Sequence, residues 1–93
     1  MEEKPKSTKY EGIEIGKIDH FYNKISVAVV KLKESLKKGD RVKIYDKQGN
    51  VILEQEVRSM QIEGKDVDVA DKGEHIGIKL DAPVREGYLI YKQ

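Results

Sequence analysis

Apolar and polar residues alternate with a period of two along most of this chain. Ile13 and Ile15 alternate, Gly16-Lys17-Ile18 continues the run with a bend at the glycine, and Ile25-Ser26-Val27-Ala28-Val29-Val30 is the most β-branched stretch. Such alternation buries one face of a strand, and β-branched side chains suit the pleated surface. Val42 and Ile44 share a face over Arg41 to Asp46, and Lys47-Gln48-Gly49-Asn50 reads as the hairpin turn that follows. From Val51 to Ile62 the pattern changes phase: Leu53 and Val57 lie on one side, Met60 and Ile62 on the other. That slip predicts a bulge or sharp bend near Arg58-Ser59. Val67 and Val69, then Ile76, Ile78 and Leu80, then Tyr88 to Tyr91 complete the strands, with polar turns at Phe21 to Lys24, Glu63 to Asp66, Ala70 to Gly73 and Ala82 to Gly87. Lys31 to Asp40 is ambiguous. Leu32 and Leu36, four apart, allow a helical turn, but the flanking strands and Gly39-Asp40 favour a loop.

About six strands at this spacing predict an all-β, closed antiparallel barrel over residues 13–93, which removes exposed edges. Residues 1–12 show no periodicity and contain Pro5, Ser7 and Thr8, the composition of a mobile N-terminal tail.

Composition narrows the chemistry. The chain has 93 residues, one domain's worth, and no cysteine, which excludes disulfides, thiolate nucleophiles and cysteine-ligated zinc. There is no apolar run of membrane-spanning length and no signal-peptide centre, so a cytoplasmic protein without membrane contact is expected. His20 and His75 are too few for a zinc site, no serine lies in a nucleophile motif, and the carboxylates at Glu54, Glu56, Asp66 and Asp68 solvate a sheet exterior. No catalytic residue, metal or cofactor is expected, and a monomer is favoured.

The net charge of +1 hides a segregation of charge. Lys24, Lys31, Lys33, Lys37, Lys38, Arg41 and Lys43 face only Glu34 and Asp40 over residues 24–43, giving +5, against −3 from residue 44 onward. This is either a lysine-decorated, solvated hairpin or a basic face for a polyanion, with Tyr45 and Tyr22 near enough to stack on bases. Tyr45 reads more as an exterior β-former than as a stacking residue.

Several turns in order carry a likeness: Gly16-Lys17-Ile18, Leu36-Lys37-Lys38-Gly39-Asp40-Arg41-Val42, Val57 to Ile62, Ala70 to Gly77, and Val84-Arg85-Glu86-Gly87-Tyr88. Together they resemble the second domain of the translational GTPases of the elongation factor Tu and initiation factor type. The chain is also similar to stand-alone barrels of that kind and to barrels appended to some peptidase-like, RNA-linked proteins. The resemblance implies a six-stranded Greek-key barrel and a non-enzymatic, translation-factor-like module that contacts tRNA, rRNA or a ribonucleoprotein through the basic loop. The alternative it implies is a protein-interaction barrel docking onto a separate GTPase or RNA-modifying enzyme. Arg58, Met60, Gln61 and His75 form a second implied contact patch, with Met60 alternatively core. Gly12-Ile13-Glu14-Ile15-Gly16-Lys17-Ile18 is one residue short of a phosphate loop and lacks its hydroxyl, which excludes GTP hydrolysis. Ser59 and Ile62 stand where that family places a glutamate and an arginine near the aminoacylated end of tRNA.

Overall fold

Strands lie close to where the alternation puts them. In a computed structural model describing residues 10–93, they are β1 (Ile13–Tyr22), β2 (Val27–Lys31), β3 (Leu36–Lys37), β4 (Arg41–Tyr45), β5 (Val51–Glu56), β6 (Met60–Ile62), β7 (Lys65–Val67), β8 (Val69–Ala70), β9 (His75–Lys79) and β10 (Leu89–Lys92). Most of the expected tail, residues 1–9, falls outside the described residues.

Eight strands form one antiparallel sheet in the order β5-β4-β10-β1-β2-β9-β6-β7, and β3 pairs with β8 beside it. The ten residues of β1 serve two partners. Ile13 to Lys17 pair with β10, Ile18 to Tyr22 pair with β2, and the register shifts between Glu14 and Gly16. Gly16 permits the shift by close approach: a Cβ there would lie 2.6 Å from Val30 Cγ1 and 2.8 Å from the Lys31 carbonyl oxygen.

The expectation of a closed six-stranded Greek-key barrel is corrected here. The sheet is antiparallel and all-β but curls into a half-barrel whose terminal strands, β5 and β7, have no ladder between them among the described residues. The phase change foreseen near Arg58-Ser59 is real, and it is the reason. Val57 to Ser59 leave the strand conformation, so β5 joins β4 while β6 joins β9 on the other half. A side chain instead ties β5 to the end of β9. Gln55 is 4% exposed; its Nε2 donates to the Lys79 carbonyl (3.0 Å), and its Oε1 accepts from the Asp81 N–H (2.8 Å).

The core is aliphatic. Ile15, Ile18, Val30, Ile44, Ile78 and Ile90 are at most 1% exposed, each contributing roughly 1.5–3 kcal/mol by burial. Met60 is fully buried among them, so its placement in a surface contact patch is corrected. Lys31 to Asp40 is a loop with one short strand rather than a helical turn. Leu32 and Leu36 are both buried, and the Lys33 N–H donates across to the Ile15 carbonyl at 2.8 Å. No helix among the described residues is long and apolar enough to cross a membrane.

Candidate functional site

Strand pairing brings acidic residues from elsewhere against the basic segment. Lys33 Nζ lies 2.8 Å from Glu14 on β1, Lys38 Nζ 3.4 Å from Asp68, and Arg41 Nε 3.1 Å from Glu54 on β5. Lys43 pairs with Glu11 and its side chain is only 17% exposed. The hydrogen bonds donated to Glu14 and Glu11 hold the Lys33 and Lys43 ammonium groups above their ordinary range. Lys24, Lys31 and Lys37 stay exposed and without a carboxylate partner among the described residues. The +5 stretch of sequence is therefore largely compensated in space.

Tyr45 is 1% exposed, which removes it as a base-stacking residue. Alternation puts it on the outer face of β4, but the chain before β1 covers it. Tyr10 packs edge-on at 4.9 Å and Tyr91 at 5.4 Å between ring centroids, and the Glu11 N–H donates to its hydroxyl at 2.9 Å. The second implied patch also dissolves. Met60 is core, Arg58 is ion-paired to Asp81, and Gln61 Nε2 contacts Asp66 at 3.3 Å. His75 is exposed at the start of β9, opposite Lys31.

Two surfaces stand out instead. The first is a cleft of about 540 Å³ lined by Phe21 on β1, Asn23 in the β1–β2 turn, Asp46 to Gln48 in the β4–β5 turn, and Val84, Arg85, Glu86 and Tyr88. Backbone bonds fix its far wall to β1: Gly87 N–H to the Ile18 carbonyl and Ile18 N–H to the Tyr88 carbonyl, both 2.8 Å. Both carboxylates there are occupied. Asp46 Oδ1 accepts from the Gln48 and Asn50 N–H groups at 2.9 Å, and Oδ2 from the Asn50 side chain at 3.1 Å. These bonds, the Asn50 N–H foremost, hold the Asp46 carboxyl below the usual carboxylate range. Glu86 lies 3.2 Å from His20 Nδ1. Lys47 and Arg85, which no sequence signal singled out, have no carboxylate partner among the described residues.

The second surface is the outer face of β2. Ala28 and Val30 point into the core, yet the alternate residues Val27 and Val29 are also apolar. Val29 pairs with Gly77 on β9, whose missing side chain leaves a groove of about 370 Å³ between Tyr22, Ile25 and Gln61. Tyr22 is 50% and Ile25 55% exposed. Among the described residues no three His, Cys, Asp or Glu side chains gather as metal ligands.

No family model matches the chain. In fold, the chain is like the C-terminal domain of a U32-peptidase-family protein of Geobacillus thermoleovorans. One crystal structure of that domain has a TM-score of 0.77 at 18% identity, covering 94% of this chain and 97% of its own. Its selenomethionine variant also gives 0.77, at 17% identity, covering 85% and 98%. In sequence, the chain is 47% identical over 85 residues to an uncharacterized protease of Methanocaldococcus jannaschii. That match takes in 91% of this chain but 21% of the protease, so the chain spans about a fifth of the relative's length.

These relatives overturn the likeness to a translation factor's second domain, and with it the reading as a translation module contacting RNA or docking onto a separate GTPase. The physical reason is that Gly-Asp turns report where backbone turns occur, not how strands connect. Many all-β domains share such turns.

Proposed function

We propose that this chain is a non-catalytic accessory domain of a protease-type protein and grips a peptidase body through the outer face of β2. The observation that carries the reading is the 47% match confined to about a fifth of a protease. Chemistry in such a protein belongs to the larger remainder. Consistent with this, His20 is engaged by Glu86 and by the Tyr22 ring at 4.4 Å rather than by a serine, whereas hydrolysis needs a nucleophile within reach of a base. A strand apolar on both faces favours docking, because the exposed side of an antiparallel sheet normally carries polar residues.

Calorimetric titration of the chain into the M. jannaschii protease lacking its matched segment tests both parts. Saturable binding that Val29→Lys abolishes is expected, while the chain alone leaves a fluorogenic peptide library uncut. Hydrolysis by the purified chain, with Ser→Ala variants losing it, would overturn the reading.

A further inference from the structure

The cleft beside Lys47 and Arg85 has the chemistry of a site for an organic monoanion with an apolar body. We propose that it binds the C-terminal end of a peptide, with Lys47 and Arg85 on the α-carboxylate and Phe21, Val84 and Tyr88 against the last side chain. The peptide class rests on the accessory-domain reading; the anion site rests on the cleft itself.

Charge is the first argument. The cleft's charged side chains are two acids, Asp46 and Glu86, and two bases, Lys47 and Arg85. The acids are committed to the β4–β5 turn and to His20. The bases are the members left without a partner among the described residues. An arginine fork binds a carboxylate in two parallel hydrogen bonds, and a lysine adds a point charge. With a formal balance of zero, the preference for an anion rests on the placement of the two cations not tied in an ion pair, and a ligand carrying several negative charges is disfavoured by Asp46 and Glu86.

Shape is the second. Val84 is 6% exposed, and Phe21 and Tyr88 pack against the core, so the apolar wall is held in place. Asn23 supplies a carboxamide that both donates and accepts, as a peptide backbone requires. A volume of about 540 Å³ suits the last two or three residues of a chain.

Gly87 is the third. It has φ +91°, and a Cβ there would come within 2.7 Å of Lys47 Cε. The lysine stem thus lies over a glycine whose missing side chain leaves it room beside the cleft.

The test is an amide chemical-shift titration of the full 93-residue chain with acetyl-Ala-Phe as free acid, the same dipeptide as its amide, and inorganic phosphate. The free acid should shift Asn23, Lys47, Gly87 and Tyr88. The amide, and the free acid against the Lys47→Gln/Arg85→Gln double variant, should bind about tenfold more weakly or worse. Those exposed substitutions leave a dispersed spectrum, which separates lost binding from lost folding. No shift at about 10 mM free acid, equal shifts from the amide, or tighter binding of phosphate than of the free acid overturns the proposal. Val29→Lys lies on the other surface and leaves these shifts unchanged. A failed titration beside intact docking therefore indicts the cleft assignment, and the reverse indicts the docking face.

Discussion

The basic segment from Lys31 to Lys43 and the cleft at Lys47 and Arg85 make opposite use of charge. In the first, six cations lie close together in sequence, and four of them, Lys33, Lys38, Arg41 and Lys43, meet a carboxylate brought from elsewhere in the chain. In the second, two cations lie far apart in sequence, and the carboxylates beside them are already engaged elsewhere. Exposed pairs of the first kind contribute little to stability and present little net field. Cations not tied in an ion pair, beside an apolar wall, are what a ligand can use. A charged site is defined by what remains unpaired after folding, not by a count along the chain.

The sharpest break concerns the aromatic residue beside each region. Tyr45→Ala should cost about 3–5 kcal/mol, because the ring is enclosed by Tyr10 and Tyr91. Tyr88→Ala in the half-buried cleft wall should cost about half as much. Urea denaturation of both variants checks the ranking, and a mild Tyr45→Ala would return that residue to the surface. Tyr45→Phe keeps the ring and removes the acceptor for the Glu11 N–H, so a loss near 1 kcal/mol is expected by the same measurement.

Acid should then find the cleft side. The hydrogen bonds to Asp46 hold its folded carboxyl below the ordinary range, so the unfolded chain takes up that proton first. The stability it contributes is complete above the unfolded pKa and is lost as pH falls through the folded value. Asp46→Asn retains an acceptor for the turn without titrating. Its urea midpoint should fall less than the parent's between about pH 5 and pH 2.5; identical acid profiles would contradict this.

The smallest expected effect tests the basic segment directly. Replacing Lys33, Lys38 and Lys43 together by glutamine removes cations already matched to Glu14, Asp68 and Glu11. The peptide titration at the cleft should be unchanged by this triple variant, whereas Lys47→Gln alone weakens it. A loss of binding in the triple variant would show that the segment's field reaches the cleft.

Much of the secondary structure was legible because it is written in period two. The inward sets Val42/Ile44 and Ile76/Ile78/Leu80 are buried as the alternation requires. The phase slip between Val57 and Met60 marks a true break between strands. Pairing across the sheet was not legible. Glu14 lies 19 residues from Lys33, Glu11 32 from Lys43, and Glu54 13 from Arg41, and no local pattern encodes which strands become neighbours. Tyr45 was misplaced for a related reason. Alternation assigned its face correctly, but its cover comes from Tyr10 and Glu11, in a stretch without periodicity. The cleft left no trace either, since its residues come from β1 and from three connections far apart in sequence.

Gln55 gives the domain a hinge line. Elsewhere the curl is held by backbone ladders that must break several bonds in concert, but between β5 and the end of β9 the Gln55 carboxamide does much of the latching, beside the Arg58–Asp81 ion pair. Breathing should begin there, and amide hydrogens near Asp81 should exchange with solvent through that local opening, faster than those in the centre of β2. The latch also ages chemically. Loss of its amide nitrogen as ammonia leaves a glutamate, which has no N–H for the Lys79 carbonyl and sets a negative charge against it. One slow hydrolysis, with no bond of the main chain cut, would loosen the sheet at this seam.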